Sequence, residues 1–277
     1  LREGTLAVTI QNNWLGPDIS GSSQPLEGGT STGVYYKDGT ATLLRIVNNV
    51  VSGNALRGMS ITPTPSSRVE VQSNLVGVAA DGVNSLGNGA GGIIVSGTGN
   101  GVVIVGGESS DLGNVIAHNA EVGVRRNSSG TAVDLSLRNN RIFANQGLGF
   151  DTTYSGPLLY SATLSSSGTT VIRGDISPFS GDEDLPHSVD FYRNDACDDS
   201  GFGEGADPIG RFSVDSPAES GTQFSFATME SISVGDIITA TITEVANGND
   251  ITSAFSMCQE VVADDTDPSI VTVTSTD

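Results

Sequence analysis

The chain has 277 residues, 36 of them glycine, and its 12 basic against 32 acidic side chains leave a formal net charge of −20. So few lysines and arginines cannot neutralise a phosphate backbone, which argues against nucleic acid as a partner. No run approaches the roughly 18 apolar residues of a membrane span. The opening at Leu1, with no cationic and apolar leader, reads as a processed or excised piece.

Taken in chain order, the first half repeats itself. Asn49-Val-Val-Ser-Gly-Asn54 is followed by Gly58, Asn114-Val-Ile-Ala-His-Asn119 by Gly123, and Asn140-Arg-Ile-Phe-Ala-Asn145 by Gly149. A second pattern alternates with it, from Asn13-Trp-Leu-Gly16 to Gly33 and from Asn74-Leu-Val-Gly77 to Gly92. Short apolar runs at 43–47, 69–71, 92–95, 102–105 and 133–137 predict strands, and no helical periodicity competes with them. Asn48 or Asn49, Asn74, Asn100, Asn114 and Asn140 are mostly about 25 residues apart, the length of one coil of a parallel β-solenoid. Asparagine suits such corners: it tolerates the left-handed conformation, and its amide can bond the equivalent amide in the next coil.

Past residue 150 the character changes. Residues 1–150 carry ten acids and nine bases, residues 151–277 carry 22 acids and three bases, so almost the whole charge belongs to the second half. Candidate strands are 158–164, 169–176, 188–193, 209–214, 223–228, 237–243 and 254–262, a spacing that suggests a β-sandwich. Cys197 and Cys258, the two cysteines, fall in this half. One long-range pair in a Ser/Thr/Gly-rich chain reads as a disulfide of a secreted protein; two separate buried thiols are the alternative.

The runs Asn74-Leu-Val-Gly, Gly92-Ile-Ile-Val, Asn114-Val-Ile-Ala-His-Asn and Gly123-Val resemble the right-handed parallel β-helix repeats of large secreted bacterial proteins. Val189-Asp-Phe-Tyr, the segment from Cys197 to Gly205, Gly235-Asp-Ile-Ile-Thr-Ala-Thr-Ile-Thr and Ser253-Ala-Phe-Ser-Met-Cys258 resemble the sandwich that often follows such repeats. The resemblance implies an all-β chain: a short parallel β-helix over 1–155, an immunoglobulin- or fibronectin-like sandwich over 156–263, and a linker or terminal strand over 264–277. It attaches no catalytic role to the sandwich, which is commonly a spacer or a cap.

Chemistry has three candidate locations. Asp195, Asp198, Asp199, Glu204 and Asp207 crowd a glycine-broken loop, the kind of oxygen set that Ca²⁺ takes, although the spacing is not an EF-hand and solvated loop charges are the simpler reading. Parallel β-helices also host polysaccharide lyases, hydrolases and epimerases, and here Asp134 and Arg138 are the best catalytic candidates. His118 takes the place of Gly53 and Ala144 in the other copies, which favours a turn residue over a base. The third location is an assembly surface. Ile270, Val271 and Val273 follow an Asp/Pro linker and alternate as a strand able to add to a neighbour's sheet. The expectation is an extracellular structural or adhesive element, a fibre or sheath subunit that associates with itself or with neighbouring domains of a longer surface protein. A polysaccharide-active enzyme or carbohydrate-binding module, with a glycan partner, is the alternative.

Overall fold

A computed structural model describes residues 6–264 apart from 19, 24–30, 38, 40, 98, 129–132, 178–184, 216–220 and 246–248. The fold is all-β, and the described residues hold one 3₁₀ turn, Ser110–Leu112, and no α-helix. None of their helices is long and apolar enough to cross a membrane.

Up to Asp151 the chain visits three parallel sheets in rotation. One sheet stacks β1 (Ala7–Gln11), β4 (Leu43–Val47), β7 (Arg68–Gln72), β10 (Val102–Gly106) and β13 (Asp134–Arg138). The next stacks β2 (Trp14–Leu15), β5 (Val50–Val51), β8 (Leu75–Val76), β11 (Val115–Ala117) and β14 (Arg141–Phe143). The third stacks β3 (Val34–Lys37), β6 (Met59–Thr62), β9 (Ile93–Gly97), β12 (Val124–Ser128) and β15 (Phe150–Asp151). Register places like on like. Val34, Met59, Ile93, Val124 and Phe150 form one inward column, and Ile46, Val71, Val105 and Leu137 another. All nine are buried, and full burial of each such side chain contributes on the order of 1.5–3 kcal/mol.

Two asparagine ladders hold the corners. Asn13, Asn49, Asn74, Asn114 and Asn140 are linked because each donates its backbone N–H and its side-chain Nδ2 to the Oδ1 of the next, at 2.8–3.0 Å. Asn54, Asn88, Asn119 and Asn145 form the second ladder by the same two bonds. The expected double duty of asparagine is divided between neighbours. The left-handed conformation belongs to the preceding residue, Asn12, Asn48, Ser73 and Asn139 in one ladder, Gly53, His118 and Ala144 in the other, while the ladder asparagine does the bonding. His118 is therefore a corner residue, at φ +60°. Asn100 is no corner: Asn74 bonds Asn114 directly across 40 positions, and the other steps of that ladder are 36, 25 and 26. Turns absorb the variable lengths, so a fixed period of 25 does not hold.

The second half contains β16 (Leu158–Leu164), β17 (Thr170–Ile176), β18 (His187–Asn194), β19 (Asp207–Val214), β20 (Thr222–Thr228), β21 (Ile237–Glu244), β22 (Ile251–Thr252) and β23 (Gln259–Ala263). The pairing path is β19-β18-β21-β23-β16-β17-β20, with β22 beside β21. It is antiparallel except that β23 runs parallel to β16. Across the fold, Phe191 of β18 stacks its ring on Phe226 of the end strand β20 at 4.5 Å. β23 changes partner along its length: Gln259 and Glu260 pair with β21, whereas Val261, Val262 and Ala263 pair with β16.

The strand expected over 254–262 is broken for a visible reason. Ser253 and Ser256 hydroxyls accept the N–H groups of Ile242 and Ala240 at 2.9 and 3.0 Å. The backbone N–H groups of the same two serines donate to the Ile242 and Ala240 carbonyls, so each serine satisfies β21 by itself and the backbone between them turns toward the first half.

Candidate functional site: the seam between the halves

The end of the parallel stack nearest the second half is closed by that half. Ile142 of β14 exchanges two backbone hydrogen bonds with Gly205, at 2.7 and 2.8 Å, so a single residue of the 201–205 loop extends the second sheet. On the first sheet, Leu137 donates its N–H to Thr252 Oγ1 at 2.9 Å. Tyr192 and Phe255, edge to face at 5.4 Å, join the apolar cluster of the stack.

Glu204 ends the second ladder. Its Oε1 accepts the Asn145 backbone N–H at 3.0 Å and Asn145 Nδ2 at 3.3 Å, the two bonds that a further asparagine would accept, and Oε2 accepts the Ala144 N–H. Burial pushes the Glu204 carboxyl above the ordinary glutamate range, and the three donors only partly oppose this.

Of the other four carboxylates expected around Ca²⁺, two share Arg193. Asp207 bonds Arg193 at 2.6 Å and reaches Arg141 at 3.2 Å. Asp195 lies 3.1 Å from Arg193, Asp198 accepts the Ser200 N–H, and Asp199 is exposed. Among the described residues no group of three or more His, Cys, Asp or Glu side chains is arranged to hold a metal ion. The cysteines do pair: Cys197 and Cys258 are disulfide-bonded, with Cα atoms 5.9 Å apart.

Asp134 and Arg138 lie on one strand without bonding each other. Burial raises the Asp134 carboxyl and the Arg126 charge opposes it. Arg138 is 4 % exposed and spends its guanidinium on Glu108 and, at 2.8 Å, on Ser188 of the second half. Glu108 also holds Arg211, whose Nε bonds the buried Asp190 at 2.6 Å. This chain of alternating charges, Arg138, Glu108, Arg211 and Asp190, ties β13 to β18 and β19. Ile270, Val271 and Val273 lie outside the described residues.

Sequence reasoning missed a groove of about 360 Å³ beside this seam. Phe150, Tyr154, Leu158, Phe202, Phe255 and Met257 line it, with far more apolar than polar surface. No sequence motif marks it, because its walls come from segments about 50 residues apart that only the disulfide and the seam bring together. Comparison with protein-family models, curated proteins and solved structures finds no match to this chain.

Proposed function

We propose that this chain is a structural or adhesive element of an extracellular, cell-surface assembly, with residues 1–155 forming a short right-handed parallel β-helix and 156–263 an immunoglobulin-like sandwich that caps it. The observation that carries this reading is the completion of the Asn ladder by Glu204. An acidic half that supplies the missing acceptor, a bridging backbone residue and two core aromatics acts as a terminator of the stack, which makes the two halves one stiff unit. At the other end, the edge strands β1, β2 and β3 carry the exposed apolar residues Val8, Trp14 and Tyr35. Strand edges of this kind are suited to addition of a further strand. The disulfide suits an oxidising compartment.

The reading as a polysaccharide-active enzyme has less support, because Arg138 is buried in the seam with its two terminal guanidinium nitrogens on Glu108 and Ser188. Negative-stain electron microscopy and sedimentation of the full chain test the proposal, alongside incubation with a panel of polysaccharides. Ordered oligomers or fibres without glycan cleavage are expected. Strictly monomeric protein that cleaves a glycan would overturn it.

A further inference from the structure

The two ends of the parallel stack differ in chemistry. In both ladders an Oδ1 accepts from the asparagine one coil earlier, so these hydrogen bonds run in one direction. At the last coil the donors of Asn145 are received by Glu204. At the first coil the situation is reversed. Asn13 gives its N–H to Asn49 Oδ1 at 3.0 Å, and its Nδ2 to the same oxygen at 3.0 Å and to the Gln11 carbonyl at 2.8 Å. Its donors are spent, whereas among the described residues nothing donates to its own Oδ1.

The interior is unfinished at the same end. Val8 heads the column formed with Leu44, Val69, Val103 and Leu135. It is 39 % exposed, whereas Leu44 is 2 % exposed and the other three are fully buried. Ile10, Leu15 and Tyr36, one level with it on β1, β2 and β3, are only partly buried against the core. Each of these three strands pairs on one side alone. The β1 edge has a definite parity: Leu6 accepts from Leu43 and Asn12 donates to Val47, so the alternate residues Ala7, Thr9 and Gln11 turn their N–H groups to the open side.

Together these features define what fits. The occupant must pair with three strand edges set around one core, bring apolar side chains to the middle, and offer donors to Asn13 Oδ1. A single extended peptide meets one edge, whereas a further parallel coil with asparagine at its corner meets all the requirements. A second copy of this chain does not supply that coil. Its own donor end is enclosed, because Asn140 is 1 % exposed and Asn145 already serves Glu204. Two copies meeting by their open ends would set one Asn13 acceptor against another with no donor between them.

We propose that the β1, β2 and β3 end of the stack docks onto a partner protein that presents an uncapped parallel β-coil, whose corner asparagine donates its N–H and Nδ2 to Asn13 Oδ1. This rests on the reading of the chain as an assembling structural element and names the kind of partner it takes. Because Glu204 and Gly205 occupy the other end, assembly through this contact stops at one copy of the chain.

A coil of the chain itself serves as the probe. Leu43 pairs with both Ala7 and Arg68, so residues 43–67 lead into Ala7 in the register in which they lead into Arg68. A copy of 43–67 inserted between Leu6 and Ala7 of the full chain therefore brings a corner asparagine over Asn13. Hydrogen exchange followed by NMR should slow at least about tenfold at the Thr9 amide. Asn49→Ala made in the inserted copy alone should remove most of that protection, while the Val69 and Ile93 amides report that the stack stays folded. Three results overturn the proposal: a Thr9 amide that the insertion does not protect, protection indifferent to the Asn49→Ala change, or protection of Thr9 in the native chain that grows between about 10 μM and 1 mM, which would make a second copy the occupant. The first two leave the assembly reading standing wherever the native chain still forms oligomers in the electron microscope.

Discussion

The carboxylate of Glu204 occupies, toward Asn145, the position that the Asn145 side chain occupies toward Asn119. Asn119 donates its N–H and Nδ2 to Asn145 Oδ1 at 3.2 and 2.9 Å, and Asn145 donates the same pair to Glu204 Oε1 at 3.0 and 3.3 Å. A repeat that ends by borrowing a side chain from about 60 residues further along the chain has its last acceptor only when both halves are in place.

Truncating this carboxylate leaves three donors at the end of the stack without an acceptor. Hydrogen bonds to charged groups contribute about 1.5–3 kcal/mol, and stranded donors cost about as much again. Glu204→Ala should therefore lower unfolding free energy by about 2–4 kcal/mol, and Glu204→Gln, which keeps an acceptor oxygen, by clearly less. The pH dependence has a definite sign. A carboxyl whose folded value is raised binds its proton more tightly in the native state, so its favourable contribution is complete below the ordinary glutamate value of 4.5 and is lost as pH rises through the raised value. Urea melts of wild type and Glu204→Gln between pH 4 and 8 should show the advantage of wild type shrinking as pH rises; a constant difference would mean that the carboxyl is not perturbed.

Within a ladder, position should matter more than residue type. Asn119 accepts from Asn88 and donates to Asn145 while fully buried, whereas Asn13 begins its ladder on an exposed corner. Asn119→Ala should cost about 2–4 kcal/mol, since it removes two ladder steps and leaves buried groups unpaired. Asn13→Ala should cost about 1 kcal/mol or less. Equal losses in denaturant melts would show that the ladder is not cooperative.

Two glycines provide a matched comparison of backbone strain against stacking. Gly77 and Gly82 both have positive φ, at +87° and +72°. A Cβ on Gly77 would lie 1.9 Å from the Ala117 carbonyl oxygen of the adjacent coil, while one on Gly82 would meet nothing closer than Leu75 Cδ2 at 3.7 Å. Gly82→Ala should cost only the left-handed penalty of about 1–2 kcal/mol. Gly77→Ala should cost several times more, or prevent folding, because the clash is with backbone that the sheet holds in register. Circular dichroism melts of the two variants decide it.

These residues also show what was legible beforehand. The Asn49/Asn54, Asn114/Asn119 and Asn140/Asn145 pairs were visible because turns of equal length separate them, and they mark both ladders. Asn88 was not visible: the 79–87 turn is inserted ahead of it, so it stands 14 positions after Asn74 rather than five, and only the three-dimensional stack restores the equivalence. Glu204 was read as one of five candidate calcium ligands because local crowding of carboxylates carries no information about which way each one turns. Its direction is set by long-range pairing of Gly205 with Ile142. The strands of the second half were legible where polar and apolar residues alternate, as over 161–164 of β16, and misjudged where serine hydroxyls took the place of backbone carbonyls as acceptors.

The contribution of Glu108 to the seam should weaken on acidification. For Glu108, partial burial alone would raise the carboxyl, but the charges of Arg138 and Arg211 outweigh it and hold the value below the ordinary glutamate range. A lowered folded value means stabilisation that is present above the ordinary value of 4.5 and is lost as pH falls through the folded value. An exposed ion pair contributes only about 0–1 kcal/mol. Arg138 is different, because it is buried and keeps only Ser188 when Glu108 is removed. Glu108→Ala should therefore cost about 1–3 kcal/mol at neutral pH, and the loss should fade toward pH 3. The seam is also where the effect should be localised: hydrogen exchange of the Leu137 and Ile142 amides, which bond Thr252 and Gly205 across it, should accelerate in the variant ahead of amides in the middle of the stack such as Val69 and Ile93. Uniform acceleration through all five coils would show instead that the two halves unfold as a single cooperative unit.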